Sequence, residues 1–315
     1  MPKLVINPRI PNPIRIIDYR HYCRAPEEKS EELARFYENG DLIVLKNYTF
    51  TAGRDTFNKV VLPNKRGKTK LFLHIDEKRH GEPPREKEWN SLKEQIENAD
   101  VSIDEFKSAV GKANGDLMDL CESLFPFYHY KRRYCIYNLC EMLAHNLHFD
   151  SPEHAGDFTQ LRVFVNLDNF PRIWRIGEKL EQVVDDCYDT GRLKDSIGKH
   201  PREFTRQTTR SAFGDRYESG AHRYSMHSIA FHPGEVWFLN PNMLAHEVVY
   251  GRRILDGAFL FDASYLRNPQ RFYPRIVETL HKEHLGAAAY TWRKGTEKVR
   301  SHLRAILPTR IAPKR

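Results

Sequence analysis

The sequence predicts an α+β fold, with a sandwich or barrel of short strands set between N-terminal and C-terminal helices. Three observations carry this. From about Tyr134 onward, short β-rich runs recur at 161–167, 173–176, 228–231, 235–239, 247–250 and 255–261. Turn signals such as Pro233-Gly234, Asn240-Pro241 and Tyr250-Gly251 separate several of them, as in antiparallel sandwiches and barrels. The pattern then returns to helix over 269–306, in RFYPRIVETLHKEHL and WRKGTEKVRSHLRAIL.

Taken in order, residues 1–25 alternate Pro with aliphatic and basic residues and read as an extended arm. Residues 26–38 (PEEKSEELARFYE) form a helix, with Pro in the first turn and Asn39-Gly40 as the stop. The aliphatic run 41–47 (DLIVLKN) is a buried strand, and 70–75 (KLFLHI) is a second. Residues 77–115 are charged and helical or loop-like, with KRHGEPPREKE as a connector, and 116–125 is a helix. A polar helical insertion at 178–213 interrupts the later strands. The expected organisation is one domain: a flank at 1–132, a core at 133–265 and helices at 266–315. There is no internal repeat and no low-complexity tract.

With 315 residues, 40% hydrophobic and 12% aromatic, the chain has ample material for a packed core and is too apolar for disorder. Its 50 Lys and Arg against 42 Asp and Glu leave a net charge of +8. That surplus favours anionic partners without choosing among nucleic acid, phosphorylated substrates and acidic membranes. The cysteines Cys23, Cys121, Cys135, Cys140 and Cys187 are odd in number and include no C-x-x-C. They read as reduced thiols rather than a disulfide framework or a zinc ribbon. The N-terminus lacks the apolar core of a signal peptide, and no stretch has the apolar length to span a bilayer. The expected location is cytoplasmic, with any membrane contact peripheral, on the inner face of the inner membrane.

The chemistry lies in a histidine–carboxylate pattern. Two His and one carboxylate on one face of a ferrous ion leave the other face open for co-substrate and oxygen. A strand supplies two ligands at i and i+2, because alternate side chains point the same way. His148-Phe149-Asp150 has that spacing, and so does His74-Ile75-Asp76. With fifteen His in the chain the bare triplet is a weak signal, so context decides. Strands and a later His follow His148, whereas a long charged connector follows His74. The third ligand is expected at His246, past the Pro233-Gly234 turn, one strand and an Asn-Pro break. His232 is the competitor and reads as a turn residue. His145 sits at an odd offset from His148 and should face the other way.

These segments resemble the Fe(II)/2-oxoglutarate-dependent dioxygenases. The residues that carry the likeness are the H-x-D at His148 and Asp150, the P-G-E-x-x-F turn and strand, and the H-E-V-x-Y-G-x-R run from His246 to Arg253. The resemblance implies a double-stranded β-helix core (jelly-roll, cupin-like). It also implies Fe(II), 2-oxoglutarate and O2 as cofactor and co-substrates, with hydroxylation of a C–H bond coupled to conversion of 2-oxoglutarate to succinate. In that family an Arg after the distal His pairs with the far carboxylate of 2-oxoglutarate, and a guanidinium fork suits a carboxylate. Arg252 and Arg253 are the candidates. Strand alternation turns only one inward, and the count along RILDGAFLFD favours Arg253. On the strand through 159–168, Arg162 and Asn166 are further candidates to contact co-substrate. Arg162 inside a barrel needs an anion.

A finer likeness runs through HFDSPEHAGDFTQLRVFVNLDNFPRIWRIGE, HPGEVWFLNPNMLAHEVVYG and DASYLRNPQRFYPRIVETLHKEHL. These are similar to the bacterial Kdo hydroxylases. The likeness implies conversion of the Kdo sugar of a Kdo–lipid A acceptor to its 3-hydroxylated analogue Ko in lipopolysaccharide inner-core synthesis. A phosphate- and carboxylate-bearing acceptor would draw a basic protein. Lys199, Arg202, Arg206 and Arg210 form one basic cluster, the three Arg sharing a face if the segment after Pro201 is helical. Lys131, Arg132 and Arg133 form another. Solvated charged faces explain both clusters equally well. Competing readings are an oxygenase of nucleic-acid bases, for which no nucleic-acid partner is expected here, and a non-catalytic β-barrel that binds an anion. Zinc-hydrolase chemistry is disfavoured because H-E-x-x-H is absent.

Overall fold

The computed structural model describes residues 2–23, 26–62, 71–75, 86–141, 144–152, 158–214 and 224–306. Along the chain run β1 (Lys3–Val5), β2 (Ile14–Asp18), α1 (Tyr19–Tyr22), α2 (Glu27–Glu38), β3 (Leu42–Lys46), α3 (Arg54–Lys59), β4 (Leu71–Ile75), α4 (Glu86–Glu97) and α5 (Ile103–Leu124). There follow β5 (Tyr130–Leu139), β6 (His145–His148), β7 (Phe158–Asn166), β8 (Arg172–Lys179), α6 (Leu180–Cys187), a 3-10 turn (Leu193–Ser196) and α7 (Pro201–Phe213). Then come β9 (His227–Phe231), β10 (Val236–Phe238), β11 (Leu244–Tyr250), β12 (Arg253–Asp262), α8 (Tyr273–Leu285) and α9 (Ala287–Ile306).

The strands form two sheets, ordered β1-β9-β8-β11-β6 and β2-β3-β10-β7-β12-β5-β4. All pairings are antiparallel except β2 with β3. This is a mixed α+β architecture with two antiparallel-rich sheets. Their inner faces meet in one apolar cluster: Trp174, Ile176, Phe231 and Leu244 from the five-stranded sheet pack with Val44, Phe164, Trp237 and Ile254 from the seven-stranded sheet. Burying each such side chain contributes roughly 1.5–3 kcal/mol. The outer face of the seven-stranded sheet packs on α2, α3 and α5 through Leu33, Phe57, Phe106 and Leu117. The outer face of the five-stranded sheet packs on α6, α7 and α8 through Val183, Phe204 and Ile276.

The expected helices and strands are found with shifted ends, and three differences stand out. The N-terminal arm is not merely extended, for β1 pairs with β9 and β2 pairs with β3, so it edges both sheets. The charged stretch before Tyr134 holds the 22-residue helix α5 and the start of the 10-residue strand β5. The insertion begins later than expected, because β8 runs on to Lys179. The Pro233-Gly234 turn needs its glycine: φ is +75°, and a Cβ there would lie 2.7 Å from the Phe50 carbonyl oxygen. All five cysteines are free. Among the described residues no helix is long and apolar enough to cross a membrane.

Candidate metal centre

β6 and β11 are antiparallel neighbours, and their register sets His148 opposite His246. Leu147 and Ala245, the intervening residues, point into the apolar layer beneath α6–α8. Alternation therefore turns both imidazoles into the space between the sheets, where their ring centroids lie 4.5 Å apart. The register shifts just after His246, a bulge of the kind that re-aims side chains at sites. Asp150 follows two residues beyond the end of β6. Its backbone is clamped by the turn before β11: Asp150 N donates to the Pro241 carbonyl (2.8 Å), and Asn242 Nδ2 donates to the Asp150 carbonyl (2.6 Å). Between the two residues of the pair, Phe149 N donates to Thr209 Oγ1 of α7 (3.3 Å).

His148, Asp150 and His246 offer one ligand atom each within 4.8 Å of one another, the one such group among the described residues. His145 and His232 are not in it, and the side chain of His74 lies outside the described residues. Asp76 lies outside the described residues.

The hydrogen bonds decide which ring nitrogens are available. His148 Nδ1 lies 2.6 Å from the Asn146 carbonyl, and His246 Nδ1 lies 3.1 Å from the Leu244 carbonyl. A carbonyl only accepts, so both Nδ1 atoms carry the proton and both Nε2 atoms present a lone pair. This is the orientation imposed on metal-binding imidazoles by a partner on the other nitrogen. His148 Nε2 then faces Asp150 Oδ1 at 3.3 Å. Two acceptors at that separation repel unless a proton or a cation sits between them. Burial alone would raise the Asp150 carboxyl, but the adjacent His148 and His246 and the Arg162 guanidinium hold it well below the usual range. The donor set is two neutral imidazoles and one carboxylate, which fits a divalent first-row metal with an open face. Trp174 stacks on His246 at 5.4 Å and fixes the ring plane.

The other expected site residues scatter. Arg162 and Phe164 face inward on β7, as alternation requires. The anion that Arg162 needs is supplied by the chain itself, since Nε and Nη2 form a two-pronged pair with the Asp256 carboxylate of β12. Asn166 is fully buried, and its amide is committed to backbone. Nδ2 donates to the Phe170 and Phe231 carbonyls at 2.9 and 3.0 Å, and Oδ1 accepts from Asp168 N. It fastens the turn between β7 and β8 and leaves no group for a co-substrate.

Arg253 shares its side of β12 with Leu255, Phe259 and Phe261, all packed in the cluster beneath α2–α5. Its Nε donates to the Phe57 and Val60 carbonyls at 3.1 and 3.3 Å. It therefore points away from the three ligands, contrary to the expectation. Arg252 pairs with Asp168 at 2.9 Å and does not replace it.

The residue the sequence reading missed is Arg172, the first residue of β8. It is 1% exposed, and its Nε and Nη1 have no hydrogen-bond partner. Burial lowers its guanidinium to about 10, so it stays charged near neutrality. It lies on the Trp174 side of the strand, with its guanidinium carbon 5.9 Å from the Trp174 ring centroid. Gly251 makes room for it, since a Cβ there would sit 2.2 Å from Arg172 Nη1. An ordered chain Arg172–Trp174–His246 thus runs from a free buried cation to the metal-ligand group. The available signal was parity: Arg172, Trp174 and Ile176 alternate with Ile173 and Arg175.

Of the expected substrate contacts, Arg202, Arg206 and Arg210 are exposed along one face of α7, with Lys199 just before it. Arg206 also pairs with Glu203. Lys131 is exposed and 3.4 Å from Asp262, and Arg132 is exposed. Arg133 does not fit that role, because it is 6% exposed and its Nη2 donates to Glu122 of α5 at 2.7 Å.

Neither the protein-family models nor the curated proteins compared with the sequence give a match. Solved structures do. The fold is similar to that of the Kdo hydroxylase KdoO, described as a non-heme Fe(II) alphaketoglutarate dependent dioxygenase. Against its apo form the TM-score is 0.58 at 15% identity, covering 85% of this chain and 96% of that one. Against its cobalt(II) complex the TM-score is 0.59 at 15% identity, covering 86% and 96%. Against its complex with alphaketoglutarate and Fe(III) it is 0.57 at 15% identity, covering 85% and 96%.

Proposed function

We propose that the chain is an Fe(II)/2-oxoglutarate-dependent dioxygenase with a jelly-roll core, and that it hydroxylates a C–H of an anionic, lipid-linked sugar, the Kdo of Kdo–lipid A. The observation that carries the reading is the pairing of His148, Asp150 and His246 with an unpartnered buried guanidinium, Arg172, on the strand beside His246. The fold shared with KdoO supports the class, and the printed activity of KdoO supports the sugar.

His148 Nε2, Asp150 and His246 Nε2 would hold the ferrous ion, each imidazole oriented by its Nδ1–H bond to a carbonyl. When bound, iron would activate O2, which supplies the oxidising power for C–H hydroxylation, with 2-oxoglutarate giving up two electrons as it is converted to succinate. Arg172 takes the role expected of Arg253: its open Nε and Nη1 edge suits the far carboxylate of a diacid, and the pairing relieves an uncompensated buried charge. Asp256 holds the Arg162 guanidinium in place next to Asp150. Trp174, Trp237 and Phe164 keep the inner wall apolar, which excludes water from the reacting centre.

Charge bookkeeping agrees with a dianionic co-substrate. The inward-facing Asp150, Asp256, Arg162 and Arg172 sum to zero, so a bound divalent ion leaves +2 and a dicarboxylate restores neutrality. The test is anaerobic loading with Fe(II) and 2-oxoglutarate, then oxygen, with succinate measured with and without Kdo–lipid A. The reading expects succinate release stimulated severalfold by the sugar lipid. Release that Kdo–lipid A leaves unchanged would overturn the substrate, and no iron-dependent release at all would overturn the class.

A further inference from the structure

Outside the metal centre, α9 and the 3-10 turn Leu193–Ser196 flank a groove of about 1120 Å³. Two large apolar side chains stand out of its α9 wall. Trp292 is 69% exposed and Val299 59%, and a spacing of seven residues puts them on one side of the helix. Opposite and around them the groove is lined by Arg192, Lys194, Lys199 and Arg293. Its acids are Asp195, which pairs with Arg192 at 2.9 Å, and Glu297. Lys194, Lys199 and Arg293 form no salt bridge with any described residue. The basic surface continues directly into α7, whose exposed face carries Arg202, Arg206 and Arg210.

An exposed indole costs free energy in water, and so does a cluster of uncompensated like charges. An anionic lipid surface relieves both, taking the indole at the headgroup level while its phosphates meet the cations. A second copy of the chain docked through this face would meet the same net-positive rim with like charge. We propose that this face, centred on Trp292 and Val299 and rimmed by Lys194, Lys199 and Arg293, docks the protein on an anionic bilayer surface.

Helix α7 gives the docking a consequence. Its buried face holds the metal ligands through the Thr209–Phe149 hydrogen bond, while its opposite face bears the three arginines. A helix with its side chains is about 10–12 Å across, so the surface lies about one helix from the ligand strand. The docking face deepens the lipid-linked substrate reading, but it stands on its own observations and is tested without turnover.

The experiment is vesicle co-sedimentation and tryptophan emission of the full chain, without metal or co-substrate. The vesicles are phosphatidylcholine alone or an equimolar mixture with phosphatidylglycerol. Trp89, Trp174 and Trp237 are 4%, 2% and 0% exposed, so a lipid-induced emission shift reports on Trp292. The expected result is sedimentation with the anionic vesicles only, weakened by salt, with a blue shift that Trp292→Ala abolishes. The double variant Lys194→Glu with Lys199→Glu should weaken binding about tenfold or more, at unchanged circular dichroism. Equal binding to neutral vesicles, no binding to either, or a folded Trp292→Ala that binds as well as the wild type would each overturn the proposal. Succinate release is measured separately, so loss of vesicle binding and loss of oxygenase activity are distinguishable.

Discussion

Two arginines a short way apart in the fold, Arg172 on β8 and Arg253 on β12, are almost equally buried at 1% and 2% exposure. Their surroundings differ in kind. Arg253 lies on the outer side of its sheet, where Nε meets two backbone carbonyls and Nη1, though without a hydrogen bond, has the Asp168 carboxylate 3.8 Å away. Arg172 lies between the sheets with two nitrogens unmatched, beside the tryptophan that stacks on His246. Burial alone therefore does not mark a functional cation. A buried charge whose partners are already present stiffens the fold, and one whose partners are missing is arranged for a ligand.

The largest effect belongs to the ligands at the end of that chain. His246→Ala or Asp150→Ala should weaken Fe(II) or Co(II) binding by at least about 100-fold, since even outer partners of metal ligands cost 10–100-fold. Metal titration by calorimetry reads it. Retained affinity in both variants would move the metal elsewhere and dissolve the contrast between the two arginines.

Next comes Arg172→Met, which removes the unmatched charge while keeping volume. Its metal-loaded form should bind 2-oxoglutarate about 100-fold more weakly, given the 2–5 kcal/mol typical of truncating one partner of a buried charge pair. Metal affinity should stay near wild type. The ligand-free variant should melt no lower than the wild type, because a buried uncompensated guanidinium is lost. A drop in melting temperature with unchanged 2-oxoglutarate affinity would make Arg172 structural. A smaller step in the same direction is Gly251→Ala. Its Cβ would fall 2.2 Å from Arg172 Nη1 and displace the guanidinium without touching the ligands. About a tenfold rise in the 2-oxoglutarate requirement is expected, with metal binding unmoved.

The contrast also shows why some of the site was legible and some was not. His148 and Asp150 were readable from their i, i+2 spacing, although β6 itself ends at His148, and His246 because a glycine turn and strand precede it. The direction of Arg253 was not, for a physical reason. Every residue from Arg253 to Phe261 is buried, since inner apolar packing and the helical layer cover both faces of β12. A strand covered on both sides carries no polar alternation to say which face is inside. Arg172 was missed although parity held the clue, because the strand was started one residue too late, at Ile173 rather than Arg172. Asn166 was correctly placed inward, but sequence could not show that its amide is taken up by the Phe170 and Phe231 carbonyls. The N-terminal strands β1 and β2 were hidden by prolines at positions 2, 8, 11 and 13, which belong to edges and connections.

The smallest functional effect is expected at the residue the sequence favoured most. Arg253→Met should leave 2-oxoglutarate affinity within about twofold of wild type, because its guanidinium faces α3 and not the ligand triad. Stability should fall instead. Hydrogen bonds to a charged group contribute about 1.5–3 kcal/mol, and here the Phe57 and Val60 carbonyls and the Asp168 carboxylate lose that partner together. Urea denaturation should therefore show a loss of about 2–4 kcal/mol at unchanged m-value. Measured beside Arg172→Met, the two variants should separate cleanly: one loses the co-substrate and keeps the fold, the other keeps the co-substrate and loses stability. If Arg253→Met instead raised the 2-oxoglutarate requirement as strongly as Arg172→Met, the two sides of the sheet would be energetically coupled, and partner satisfaction would no longer distinguish structural from functional arginines here.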